Sequence, residues 1–181
     1  MRRRLFKNLI SPPCTEPVVE RQTAAFEAAG VTLRGAIAER LGRSLAIREV
    51  DAGSCNGCEL EIHALSNAFY DIERFGIRFV ASPRHADVLL VTGPVTLNMQ
   101  QALERTYAAT PAPKWVVAVG DCGAGCGVFA NSYACVGAVS KVIPVDLVIR
   151  GCPPTPTDLL HGLLWLLSGR GTQAAISTRQ S

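Results

Sequence analysis

The sequence is poor in aromatic residues, 6% of 181, and in charge, 18%, and it lacks any apolar run of the ~18–20 residues needed to span a bilayer. The best candidate, 159–167, is short and contains His161 and Gly162, so the chain is not expected to cross a membrane by itself. No nucleophile–base pair, phosphate-cradling glycine loop or substrate-pocket signature is present. The glycines from Gly123 to Gly127 do not follow a G-x-G-x-x-G pattern, which argues against a dinucleotide site. The net charge is only +3 and the basic residues are scattered apart from Arg2, Arg3, Arg4 and Lys7, so nucleic acid is not an expected partner. Disorder is excluded for most of the length, because 48% of the residues are hydrophobic and can build a core.

The N-terminus superficially fits an export signal at Arg3-Arg4-Leu5-Phe6-Lys7. An apolar stretch of roughly 7–15 residues and a small-residue cleavage site should follow. The sequence instead turns to Ser11-Pro12-Pro13-Cys14-Thr15-Glu16-Pro17, polar and helix-breaking, and the signal is rejected. Residues 1–17 read as a solvated or partner-docked arm.

Beyond the arm, 20–41 reads as helix with Gly30 as a break, and Leu33, Ile37 and Leu41 fall on one face. Short apolar runs then recur, each followed by glycine or a turn: 45–50 into Asp51-Ala52-Gly53, 77–80 into Ser82-Pro83, and 88–91 into Thr92-Gly93-Pro94. Two more are 115–119 into Gly120-Asp121 and 145–149 into Arg150-Gly151. Near-continuous apolar runs suit parallel strands covered on both faces. Helices are expected over 59–70, 97–109 and 158–167. The alternation predicts a three-layer α/β domain with right-handed crossovers. The division expected is an arm and helix start over 1–30, the domain over 31–170 and a tail over 171–181.

Cysteine is the residue in excess. Seven is an odd number in a chain too large to need disulfide staples, which favours thiolate ligands in a reducing compartment. Cys55 and Cys58 follow the first strand, Cys122 the fourth and Cys152 the fifth, and in a parallel sheet those loops share the carboxyl edge where ligands bind. A cubane cluster presents four iron corners, each taking one thiolate. Cys55-Asn56-Gly57-Cys58 can reach two adjacent corners, and glycines at 53, 120, 123 and 151 let backbone N–H groups approach. One [4Fe–4S] cluster accounts for all four cysteines. A four-cysteine zinc site remains open, although two single cysteines on separate strand ends are a weak zinc pattern. A redox dithiol at Cys55 and Cys58 leaves Cys122 and Cys152 unexplained.

The stretch 51–59, Asp-Ala-Gly-Ser-Cys-Asn-Gly-Cys-Glu, resembles the signature of the small subunit of energy-converting [NiFe] hydrogenases of the formate-hydrogenlyase type (group 4), close relatives of the 20-kDa (B) subunit of NADH–quinone oxidoreductase, complex I. Further blocks resemble the same family in its order: 82–87 with Thr92-Gly93-Pro94-Val95-Thr96, then Gly120-Asp121-Cys122 with Gly127-Val128-Phe129, then 144–156 with Gly151-Cys152-Pro153-Pro154. The resemblance covers roughly 31–168 and strengthens the cluster reading over zinc. It implies a flavodoxin-like fold, with one [4Fe–4S] cluster held by Cys55, Cys58, Cys122 and Cys152 at the carboxyl ends of the strands.

The resemblance also implies a non-catalytic electron-transfer subunit of an oxidoreductase. Its partners would be a large subunit carrying a nickel–iron centre or resembling the 49-kDa subunit of complex I, a ferredoxin-like iron–sulfur subunit, and membrane subunits. It would sit peripherally on the cytoplasmic side of the inner membrane. Cys-Asn-Gly-Cys, rather than adjacent cysteines, places the chain on the hydrogenase side, with transfer to a quinone as the alternative. Cys126 stands where the family more often has glycine, which leaves a ligand swap with Cys122 open; the Gly120-Asp121-Cys122 strand end favours Cys122. Cys14 and Cys135 read as inert thiols. Glu59 reads as a helix-start carboxylate or a proton-coupled group, His63 as a packed, hydrogen-bonded histidine, His85 as a loop residue, and Arg84 as a residue that tunes cluster charge. Pro153-Pro154 and the loop 93–99 are expected in an apolar docking face.

Overall fold

The structure, a computed structural model, describes residues 20–168, so the arm, Cys14 and the tail lie outside the described residues. The elements are α1 (Glu20–Leu41), β1 (Leu45–Asp51), α2 (Gly57–Ala64), β2 (Ile77–Phe79), β3 (Val88–Thr92) and β4 (Val95–Thr96). There follow α3 (Leu97–Ala109), β5 (Trp115–Val119), the short α4 (Gly120–Gly123), β6 (Cys135–Gly137), β7 (Leu147–Ile149) and α5 (Pro156–Leu167).

Five strands form one parallel sheet in the order β2-β1-β3-β5-β7. Numbered among themselves they run 2-1-3-4-5, the flavodoxin-like order. Side chains on a strand alternate between faces, and the core divides accordingly. Leu45, Ile47, Val88, Leu90, Val117 and Val119 pack with Leu33 and Ile37 of α1, Ile62 of α2 and Leu163 of α5. Leu89, Val91, Val116 and Ala118 pack on the opposite face with Leu103 of α3, Val139 and Ile143. All of β3 is buried, which is why it reads as an unbroken apolar run.

Three differences from the sequence reading have identifiable causes. Gly30 does not interrupt α1; it is where Phe75 packs against the helix, and a Cβ there would lie 2.3 Å from the ring. The helix expected over 59–70 stops at Ala64, because the Asn67 carboxamide accepts the N–H groups of Phe69 (2.8 Å) and Tyr70 (2.9 Å) in a competing turn. The helix expected from Asp158 starts two residues earlier, where Thr155 and Asp158 form a capping box and Pro156 occupies the first turn. A two-stranded antiparallel pair, β4 with β6, went unpredicted because strands of two and three residues leave no periodicity to read.

One ion pair ties the amino-terminal edge. Asp87, buried, accepts Arg43 Nη2 at 2.6 Å and Nη1 at 2.9 Å, and also the Ala46 N–H at 3.0 Å. Among the described residues no helix is long and apolar enough to cross a membrane.

Candidate metal centre

The loop after β1 is organised by its own side chains. Asp51 Oδ1 accepts the N–H groups of Gly53 (2.7 Å) and Ser54 (2.8 Å), folding the chain back at the strand end. Ser54 Oγ accepts the Asn56 N–H at 3.0 Å and donates to Glu59 Oε1 at 2.5 Å. Asn56 adopts the left-handed conformation (φ 70°) that asparagine tolerates, and α2 begins at the next residue. Cys55 is thereby left exposed at the tip, whereas Cys58, the second residue of α2, is buried.

The loops after β5 and β7 are tied to each other. The Asp121 N–H donates to the Gly151 carbonyl at 2.9 Å, and the Gly151 N–H returns to Asp121 Oδ1 at 3.2 Å. Those bonds place Cys122, half-buried, and Cys152, exposed, at the same sheet edge. Gly120 has φ +82° and lies under the first loop: a Cβ there would be 2.7 Å from Cys58 Sγ and 3.4 Å from the Gly151 carbonyl. Gly127 lies against the third cysteine, where a Cβ would sit 2.3 Å from Cys122 Sγ. Pro153, after Cys152, approaches the Cys55–Cys58 turn at Gly57.

The thiols act on one another. Burial pushes the Cys58 thiol up to about 12, with Glu59 and the other three, Cys55, Cys122 and Cys152, adding to the effect. Burial also raises Cys122, opposed by the backbone N–H groups of Phe129 and Val128, with Cys152 and Cys55 again contributing. Cys58 and Cys122 therefore resist ionising unless a cation binds them, and a coordinating metal deprotonates a thiol outright. Among the described residues no three His, Cys, Asp or Glu side chains are grouped to hold a single metal ion. The donor set and the glycine cradle under Cys58 and beside Cys122 fit an iron–sulfur group reached from three loops.

Cys126 has side-chain contacts of its own on the same two loops. Its Sγ takes a hydrogen bond from Arg150 Nη1 and lies 3.4 Å from the Asp121 carbonyl, while Arg150 also reaches Asp121 Oδ1 at 3.7 Å. Cys135, partly buried in β6, pairs with Thr96 across the small sheet. Glu59 lies in the first turn of α2, 6% exposed. His63 is not packed: its side chain is 75% exposed and sits 3.9 Å from Glu49 Oε2. Arg84 and His85 lie in the 3-10 turn before β3. The expected docking loop carries Leu97, 58% exposed, and Leu60, Val128, Phe129 and Tyr133 are also exposed on the cysteine-bearing helix and loop.

Sequence reasoning missed the residues that hold the loops. Asp51, Ser54 and Asp121 organise all three, and the Asp-x-Gly-Ser pattern at a strand end was the available signal for the first two. Glu49 was not singled out either.

The family model described as NADH ubiquinone oxidoreductase, 20 Kd subunit, matches residues 55–166. The chain is 47% identical to the probable membrane-bound hydrogenase subunit mbhJ of Pyrococcus furiosus, over 70% of this chain and 76% of that one. It is 43% identical to formate hydrogenlyase subunit 7 of Escherichia coli, over 75% of this chain and 53% of that longer protein. A chain in the structure of the membrane-bound sulfane sulfur reductase, an archaeal respiratory membrane complex, superposes with a TM-score of 0.61 at 36% identity, covering 72% of this chain and 74% of that one. With its motifs in order, its parallel sheet and these relatives, the chain belongs to the family of the 20-kDa subunit of NADH–ubiquinone oxidoreductase, in the company of its hydrogenase members.

Proposed function

We propose that the chain is the electron-relay subunit of a membrane-associated [NiFe]-hydrogenase-type complex, with Cys55, Cys58, Cys122 and Cys152 holding one [4Fe–4S] cluster. The observation that supports this reading is that four cysteines lie on three loops at one edge of the parallel sheet, with Gly120 against Cys58 and Gly127 against Cys122. When bound, the cluster supplies one-electron redox chemistry. The chain's residues do the rest. Asp51, Ser54 and Asp121 fix the loops before the group arrives, and Gly120 and Gly127 leave room beside the sulfurs. The N–H groups of Phe129 and Val128 favour negative charge on Cys122.

The exposed apolar residues Leu60, Leu97, Val128 and Phe129 support a docking face toward a large catalytic subunit. Electrons arrive from a ferredoxin-like iron–sulfur subunit, and membrane subunits anchor the assembly on the cytoplasmic side. Relatives named for a hydrogenase and for a sulfane sulfur reductase support a role independent of the reaction at the partner. The fit to complex I sustains a second reading, in which the large subunit passes the electrons to a quinone.

Anaerobic purification with iron and sulfide analysis tests the cluster: a paramagnetic signal on reduction supports it, and colourless protein with one zinc sinks it. Two Cys-x-x-Cys pairs in the co-purifying large subunit indicate nickel; a large subunit lacking them favours the quinone reading.

A further inference from the structure

The loops that carry the four cysteines are unevenly charged. Asp51 and Glu59 flank Cys55 and Cys58, and Asp121 precedes Cys122. The one basic side chain within 51–59, 120–127 and 150–155 is Arg150, two residues before Cys152. An electron delivered to this sheet edge therefore adds negative charge among three carboxylates, and Glu59 already opposes ionisation of Cys58.

Arg150 reaches across to the loop after β5. Its Nη1 donates to Cys126 Sγ and lies 3.7 Å from Asp121 Oδ1. The residue that receives it is itself held, because the Cys126 N–H donates to the Asp121 carbonyl at 3.0 Å and Sγ lies 3.4 Å from the same oxygen. Cys126 thus seats the guanidinium beside Asp121, the chain neighbour of Cys122.

Maintaining the fold does not account for this pair. The side chains of Arg150 and Asp121 are 37% and 35% exposed, and ion pairs so exposed add little to stability. At 3.7 Å the guanidinium is beyond hydrogen-bond reach of the carboxylate. The two loops are joined without it, by the Asp121 N–H to the Gly151 carbonyl and the Gly151 N–H to Asp121 Oδ1. What the Arg150 side chain brings is a fixed positive charge.

We propose that Arg150, seated by Cys126, offsets the charge of Asp121 and so raises the reduction potential of the four-cysteine centre, as a positioning residue for electron acceptance. The inference rests on the reading of that centre as an iron–sulfur cluster. It gives Cys126 a part other than ligation, that of holding the cation in place. One electron arrives from the ferredoxin-like subunit and the same number leaves to the catalytic one. No proton moves and no bond forms or breaks at Arg150.

The test is the midpoint potential of the anaerobically purified complex, titrated at fixed pH and read by its paramagnetic signal. R150Q is expected to accept an electron on the order of tenfold less readily, a shift of about 59 mV to lower potential. R150K, which keeps the charge, should recover most of that loss. D121N should move the midpoint upward, and R150Q combined with D121N should return it toward wild type. C126A, which removes the seat, should move it downward by less than R150Q does; an unmoved midpoint in C126A overturns the part given to Cys126.

An R150Q complex with full iron and sulfide and the wild-type midpoint overturns the proposal and leaves the cluster reading intact. A fall in R150K as large as in R150Q, or a double variant as low as R150Q, also overturns it, since a structural effect would ignore the charge. A wild-type complex without iron and sulfide overturns both readings. Should R150Q fail to assemble, D121N decides alone: its carboxamide oxygen can still accept the Gly151 N–H, and a midpoint at or below that of wild type overturns the proposal.

Discussion

Gly120→Ala puts the geometry of the centre under direct strain. The residue has φ +82°, where a side chain costs roughly 1–2 kcal/mol. The added Cβ would stand 2.7 Å from Cys58 Sγ. Ordinary contact is about 3.5–4.0 Å, so the sulfur must move by about 1 Å. A metal site tolerates about 0.2 Å in its ligand distances. The displacement is therefore several times the tolerance, while the energetic cost is a minor part of a domain's roughly 5–15 kcal/mol. The expected outcome is a folded protein, by circular dichroism, with most of its iron and sulfide lost. Gly35→Ala is the control, since beyond its chain neighbours and the adjoining turns of helix backbone nothing lies within 4 Å of the added methyl, and it should bind iron as wild type does. Gly120→Ala with full iron and an unchanged paramagnetic signal would refute the cradle argument.

Other consequences follow from the same contacts. Asp87→Ala strands the Arg43 guanidinium and the Ala46 N–H, and should lower stability by about 2 kcal/mol, read from the urea midpoint, with cluster content unchanged. In the metal-free chain, Cys58 should be the slowest of the four thiols to alkylate at neutral pH, since burial pushes it up to about 12; mass spectrometry of partly alkylated protein checks the order. Glu49 binds its proton more tightly in the folded than in the unfolded chain, so its contribution is full below the ordinary glutamate range and is lost as pH rises through the raised folded value. The stability of Glu49→Gln relative to wild type should therefore grow with pH over that window, measured by urea titrations at successive pH values.

The strands were legible because β3 and β5 are buried on both faces and appear as Val88-Leu89-Leu90-Val91 and Val116-Val117-Ala118-Val119 with glycine following. A period-free apolar run ended by glycine is enough to place a cysteine at the carboxyl edge of a parallel sheet. What stayed hidden depends on partners distant in sequence. Gly30 carries no sign that Phe75 will fill the space beside it. The direction of Cys126 is set by Arg150, 24 residues away and on another loop. Glu49 occupies a position on β1 where alternation predicts an inward side chain, as for Leu45 and Ile47, but nothing local shows the cavity left for it by α2 and the β2 edge. His63 illustrates the same limit in reverse, because α2 turns it to solvent rather than into the core.

The four named cysteines as the ligands of one [4Fe–4S] cluster, with Cys126 outside it, can be tested by native mass spectrometry of the anaerobically purified complex in the Cys122→Ser and Cys126→Ser variants. The Arg150 and Asp121 contacts of Cys126, and the glycine and N–H groups at Cys122, predict a chain that keeps the mass of four irons and four sulfides in Cys126→Ser and loses it in Cys122→Ser. The reverse pattern, or a single zinc in both, would contradict the account.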